Sequence, residues 1–216
     1  MNRTADVVIV GAGVIGSATA FELAKRGYKT LNIDKLPASG YGSTSNSCAI
    51  VRAHYSTWDG VAMAYEGFFY WDDWNKYLEV EDERGMAKYM KTGSIMFMLK
   101  GADHSKKSLN LFKEIGVEHE IWDLETLKKK MPIYSHDSYN GTSRPDEDDS
   151  FFDKSGDQIE GAVWTPGSGY VSDPQLATHN LQVATEAKGG EFLFDAEITE
   201  IRQSNGQIQG VTLKSG

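Results

Sequence analysis

A single cysteine, Cys48, rules out an internal disulfide in this chain of 216 residues, so burial and hydrogen bonding alone must hold the fold. One thiol fits a reducing compartment, and a cytoplasmic placement is the simplest expectation. Positive charge is also scarce. Lys and Arg total 22 against 31 Asp and Glu, and the net charge of −9 excludes the basic footprint of a nucleic-acid binder. No apolar run approaches the roughly 18 to 20 residues needed to cross a bilayer, so no membrane span is expected. Metal-ligand spacing is missing as well: His104, His119 and His136 form no pair at ligand spacing and are expected at the surface. The acidic run Asp146-Glu147-Asp148-Asp149 lacks the alternating ligands and glycine of a calcium loop, and reads as a solvated insertion within an irregular stretch from Asp137 to Gly161.

What is present is concentrated between Asp6 and Asp34. Val7, Val8, Ile9 and Val10 form an unbroken β-branched run, as expected of a strand covered on both faces of a parallel sheet. Gly11-Ala12-Gly13-Val14-Ile15-Gly16 follows directly, a G-x-G-x-x-G that ends the strand and opens a helix. Gly11 suits the tight turn, Gly13 the approach of a pyrophosphate to the backbone, and Gly16 close packing of helix on strand. The pyrophosphate would rest on the free amides of the helix N-terminus. Gly16, Ala20, Leu23 and Ala24 are expected to form the buried helix face, and Gly27 to stop the helix. A second strand, Thr30 to Ile33, ends at Asp34, about 20 residues beyond Gly13, where a carboxylate can accept from ribose hydroxyls and would repel a 2′-phosphate.

The loop after Lys35 is rich in glycine and hydroxyls, with Gly42, Ser43, Thr44, Ser45, Asn46 and Ser47 placed to return to the phosphates. It leads into Ile50-Val51-Arg52-Ala53-His54-Tyr55. An arginine in a short apolar segment implies an anion nearby, either a structural carboxylate or that of a substrate.

These motifs together resemble the flavoprotein family of sarcosine oxidase, dimethylglycine dehydrogenase and D-amino-acid oxidase, with the sarcosine oxidase branch nearest. The resemblance implies FAD bound in extended form, with its ring near Ser45 to Arg52. It also implies oxidation of a carbon–nitrogen bond in a small amino acid or N-methylated amine, with Arg52 pairing with the substrate carboxylate and His54 or Tyr55 shaping the site. Val14, Ile15, Lys35 and Ile50 fall within the implied cofactor contacts, and Ile198 lies where the family's strand touches adenine. Positions where some relatives attach flavin through histidine hold Asn46 and Asp173, so noncovalent FAD is expected at the positions visible, with Cys48 an ordinary buried thiol.

The remaining chain fits this scheme. Asp59 to Leu78 reads as one helix whose aromatic side chains make core contacts. Gly93 to Leu99 reads as a buried strand, Ser105 to Ile115 as a helix closed by Gly116, and Leu124 to Lys130 as a short helix before Pro132. Asp173-Pro174 opens a further helix ending at Gly189-Gly190, followed by a third parallel strand, Phe192 to Phe194. A hairpin around Asn205-Gly206 closes the sequence. The fold class is α/β: a Rossmann-like FAD-binding domain (1–84 and 162–216) interrupted by an α+β substrate domain (85–161). The stop directly after the hairpin leads to the expectation of a C-terminally truncated polypeptide. Two alternatives share the fingerprint. An NAD-dependent dehydrogenase is opposed by the Gly-Ser-Thr loop and Arg52 so soon after the second strand, and a noncatalytic binding module or subunit by Asp34 together with all three glycines.

Overall fold

Strand, glycine turn and helix succeed one another where the sequence places them. The computed structural model describes residues 3–101, 103–140 and 144–214, the side chains of 103 and 104 excepted. The His104 imidazole, residues 141–143 of the irregular stretch and the chain end at 215–216 lie outside the described residues.

In chain order β1 (Val7–Val10), α1 (Val14–Lys25) and β2 (Thr30–Ile33) come first. Next are β3 (Ile50–Val51), α2 (Trp58–Asp72), α3 (Trp74–Leu78), β4 (Tyr89–Met90), β5 (Ser94–Met98) and α4 (Asp103–Ile115). They are followed by β6 (Glu120–Asp123), α5 (Leu124–Lys130), β7 (Asp137–Tyr139), β8 (Lys154–Gln158) and β9 (Gly161–Thr165). The last are β10 (Gly169–Val171), α6 (Pro174–Ala187), β11 (Glu191–Leu193), β12 (Ile198–Ser204) and β13 (Gln207–Leu213).

The chain forms two compact units, one of Met1–Ile50, Tyr70–Met90 and Tyr170–Gly216, the other of Val51–Phe69 and Lys91–Gly169. These limits cross the boundaries expected at 84/85 and 161/162. The expected single helix over 59–78 is two, because Asp73 leaves helical angles (φ −119°, ψ 42°). Val61 and Phe68 of α2 pack with Phe112 and Val163 in the second unit, whereas Trp74 and Tyr77 of α3 bond to Asn180 and Glu22 in the first. Not all of the α2 aromatics reach a core: Phe69 and Tyr70 are exposed.

In the first unit β1, β2 and β11 form a parallel sheet with β2 central, Val7 to Val10 facing Thr30 to Ile33, and Leu193 facing Ile33 on the other side. All four residues of β2 are buried. Helix α1 packs on β2 and α6. Its buried residues are Ser17, Ala20, Phe21 and Ala24, so of the expected face Ala20 and Ala24 are buried while Gly16 and Leu23 are half-buried, and the face extends to Phe21, enclosed with its ring edge-on to Tyr77 at 5.2 Å. Packing on two sides gives α1 a wider apolar stripe than a single-face reading assigns. The helix ends as expected. Gly27, at φ +87°, donates to Ala24 O while Tyr28 N–H donates to Leu23 O, the paired bonds that satisfy the last carbonyls. Asp173 caps α6 by accepting from Leu176 N–H at 2.9 Å, and Asn205-Gly206, both at positive φ, turn β12 into β13.

The second unit is built on the antiparallel sheet β5–β9–β6, with Phe112 of α4 and Val163 of β9 at its core and the stacked rings of Trp122 and Trp164 in a neighbouring cluster. The stretch expected to be irregular contains a hairpin, β7–β8, in which Lys154 pairs with Asp137 and Tyr139 stacks on Phe152. Every residue of β8 is exposed, so no apolar alternation announces it. His119 and His136 are half-buried rather than superficial: His119 Nδ1 contacts Val117 O at 2.7 Å, and His136 Nε2 is enclosed. Among the described residues no cluster of His, Cys, Asp or Glu is arranged for a metal, and no helix is long and apolar enough to cross a membrane.

Candidate nucleotide-binding site

The glycine turn divides its work among its three glycines. Gly11 has φ +103° and open space where a Cβ would stand, so backbone angle alone demands glycine there. Gly16 is the reverse case: a Cβ would lie 2.2 Å from Gly11 O and 3.5 Å from Ile9 Cγ2, and contact between helix and strand demands glycine. At Gly13 a Cβ would meet Thr44 Oγ1 at 3.2 Å, which makes this glycine the point where the Ser-Thr loop crosses the turn.

Gly13 stands at the N-cap of α1 without a side-chain cap of its own. A helix start leaves several amides without partners. Here the Thr44 hydroxyl accepts from Val14 N–H at 3.1 Å, while the amides of Ile15 and Gly16 have no partner among the described residues. This is the anion-binding end of a helix, carrying positive partial charge.

Asp34 stands at the tip of β2, half-buried. Its Oδ2 accepts from Ala12 N–H at 2.7 Å and its Oδ1 from Leu36 N–H at 2.9 Å. An ionised carboxylate offers about four acceptor directions, so two remain for donors such as ribose hydroxyls. The backbone around it is tied down on the far side too: Asp34 N–H donates to Leu193 O, Ala196 N–H to Asp34 O and Asp195 N–H to Leu36 O. Ile198 opens β12 two residues beyond Ala196, opposite Leu213. Lys35 is exposed beside them.

The loop is folded by its own polar groups. Ser45 Oγ and Asn46 Nδ2 both donate to Gly42 O, Ala49 N–H donates to Ser47 Oγ, and Gly40 N–H reaches Ala12 O at 2.8 Å, fastening loop to glycine turn. Thr44 is buried, whereas Ser43, Ser45, Asn46, Ser47 and Ile50 are exposed. Cys48 is exposed, which corrects the expectation of a buried thiol: the turn-rich loop has no apolar shell to enclose it.

Two residues outside the sequence expectation support this cradle. Asn32 is fully buried in β2 and donates from Nδ2 to Gly16 O at 3.1 Å and Gly11 O at 3.4 Å, bracing both ends of the glycine turn. Its signal was a lone amide in an otherwise apolar strand. Gly40, at φ +74°, packs on Thr178 of α6, and a Cβ there would come within 3.1 Å.

The remaining predicted site residues belong to the second unit. Arg52 is exposed, makes no ion pair among the described residues, and is held by a 2.7 Å bond from Nη1 to His54 O and by the Tyr55 ring, 5.4 Å from its guanidinium carbon. Tyr55 is likewise exposed. His54 turns the other way: it is 7% exposed, its Nε2 is 2.8 Å from Thr165 Oγ1, and its ring stacks on Phe112, so it is set in the core beside the arginine segment.

Residues 6–216 match the family DAO, described as FAD dependent oxidoreductase. The monomeric sarcosine oxidase of Streptomyces avermitilis is 26% identical over 200 residues, covering 92% of this chain and 45% of the relative. The D-amino acid dehydrogenase of Rhodopseudomonas palustris is 25% identical over 243 residues, covering 97% of this chain and 56% of the relative. The crystal structure of L-proline dehydrogenase from P. horikoshii superimposes with a TM-score of 0.76 at 21% identity, over 99% of this chain and 50% of that one, which shows the same fold. The chain thus spans about half the length of the curated relatives it matches.

Proposed function

The chain belongs to the DAO family of FAD-dependent oxidoreductases, and from that premise we propose that it binds FAD along the glycine turn and Asp34. We further propose that it takes part in oxidising the carbon–nitrogen bond of a small amino acid or N-methylated amine. The observation that carries the cofactor reading is the pairing of two unpartnered α1 amides, at Ile15 and Gly16, with a carboxylate that keeps open acceptor directions at the tip of β2. A diphosphate suits the first and a ribose the second.

In this reading the amides at the start of α1 hold the diphosphate, with Gly13 keeping the approach free of a side chain. Asp34 accepts from the ribose, and Ile198 offers backbone to the adenine. The hydroxyls of Ser43 and Ser47 are exposed donors on the loop, and Asn46 keeps a second amide hydrogen, whereas the Ser45 hydroxyl is spent on Gly42 O. When bound, FAD would supply the redox chemistry, as the acceptor for a hydride equivalent from the carbon next to nitrogen. Arg52 orients the substrate. Its guanidinium is steadied by a carbonyl and an aromatic ring, neither of which neutralises it, so its remaining donors are available for a carboxylate. Tyr55 fixes the plane of that guanidinium, and His54 anchors the segment in the core, a positioning role. Sarcosine, dimethylglycine, proline and D-amino acids all carry the carboxylate this arrangement selects.

The test is the visible absorption spectrum of the purified protein before and after acid precipitation, followed by titration with FAD and, separately, with NAD. Flavin released into the supernatant, or saturable uptake of added FAD with no uptake of NAD, supports the proposal. Flavin kept in the pellet overturns noncovalent attachment and directs attention to Cys48. Uptake of NAD in preference to FAD would overturn the cofactor assignment itself.

A further inference from the structure

Beside the start of α6, the first unit contains a cavity of about 180 Å³ whose walls include Ser39, Arg84, Asp173, Gln175 and His179. Ser39 is 1% exposed, and its Oγ has no partner among the described residues. Buried hydroxyls are nearly always partnered, and this one stands on the wall of a space that can hold a partner. A single water has a share of roughly 30 Å³, well below the space available.

The walls are pre-set. His179 Nδ1 lies 2.6 Å from Oδ2 of Asp82, whose side chain is 1% exposed and also accepts from Arg84 N–H and Asn180 Nδ2. The imidazole is thereby locked with its Nδ1 edge on Asp82, leaving the Nε2 edge to the cavity. Arg84 is exposed, and its guanidinium makes no ion pair among the described residues. Asp173 spends Oδ1 on the Leu176 amide and keeps Oδ2. The cavity therefore carries charge of both signs on separate walls. A simple anion would be repelled by Asp173 and a simple cation by Arg84.

We propose that this cavity binds a small zwitterion of α-amino-acid size, with the carboxylate on the Arg84 guanidinium and the Ser39 hydroxyl and the ammonium on the free oxygen of Asp173. The cavity is lined by residues other than those assigned to the nucleotide, and the proposal does not depend on the flavin reading.

The test uses the full chain, ¹⁵N-labelled and titrated with glycine. Saturable shifts are expected at the amides of Ser39, Gln175 and His179, with none at Ile15 and Gly16. Arg84→Gln and Ser39→Ala should each weaken binding by about tenfold, the range of a lost hydrogen bond to a charged group. Acetate and methylamine should each bind at least about tenfold more weakly than glycine, since each satisfies only one wall. Three results overturn the proposal: no saturable shift at these amides, acetate or inorganic phosphate binding as well as glycine, or undiminished binding in the Arg84→Gln/Ser39→Ala double variant. Arg84 is exposed, so its variant keeps the test open if Ser39→Ala disturbs the loop.

Discussion

Replacing Gly16 by alanine tests the central claim about the cradle, that helix and strand touch through a missing side chain. The new Cβ would lie 2.2 Å from Gly11 O, against 3.4 Å or more in ordinary contact, so α1 or the turn must move by roughly 1 Å. Overpacking costs about 1–3 kcal/mol, and a clash with backbone, which no rotamer relieves, belongs at the upper end. Alanine in place of a helical glycine returns about 1 kcal/mol. The net loss is about 2 kcal/mol, which lowers the melting temperature by about 4–8 °C in a chain of this size. FAD affinity should fall at least about tenfold, because the displaced amides are those assigned to the diphosphate. Thermal denaturation and quenching of flavin fluorescence measure the two effects. Gly67→Ala is the matched control: it also lies in a helix, α2, but has nothing within 4 Å of a built Cβ, so it should be neutral or stabilising by up to about 1 kcal/mol. If Gly16→Ala melts no lower than the parent and binds FAD equally, the contact argument is wrong.

Further expectations follow from other groups. Asp34→Ala should weaken FAD binding by about ten- to a hundredfold and also lower the melting temperature, since the Ala12 and Leu36 amides lose their acceptor; a melting temperature equal to wild type would deny the carboxylate its structural role. Burial pushes the Asp82 carboxyl up, but hydrogen bonds from the Arg84 amide, His179 and Asn180 outweigh it and hold it below the usual carboxylate range. A lowered carboxyl contributes stability that is present above the unfolded value of about 3.9 and is lost as pH falls through the folded one. Asp82→Asn should therefore cost about 1–3 kcal/mol at pH 7, with the gap to wild type closing below about pH 4 in urea titrations at a series of pH values. Gly93→Ala places a Cβ 1.8 Å from the Trp164 ring at φ +72°, and should cost about 3 kcal/mol or more, with a change in tryptophan emission as Trp164 leaves its stack on Trp122.

The parts legible in the sequence are those governed by local rules. Strand β1, the glycine turn, the Gly27 stop, the Asp173 cap and the Asn205-Gly206 turn each depend on a few adjacent residues, and each stands where expected. Asp34 reads from the sequence as a carboxylate at a strand tip; its bond from Leu36 is a local turn contact two residues away, whereas its bond from Ala12 is hidden because sheet pairing alone brings those two segments together. Asn32 and Gly40 were missed for the same reason: each is justified by atoms far away in the chain. The division of the aromatic stretch between two units was hidden because periodicity shows that a face is apolar and not which core receives it. The β7–β8 hairpin escaped since cross-strand charge and ring stacking hold it, without an apolar face.

The Thr44 hydroxyl on the Val14 amide is a helix cap borrowed from the loop. It takes up one of the amides at the start of α1 and leaves those of Ile15 and Gly16 open. The order of the helix start is therefore tied to the order of a loop distant in sequence, and a change that loosened the loop would also uncap α1.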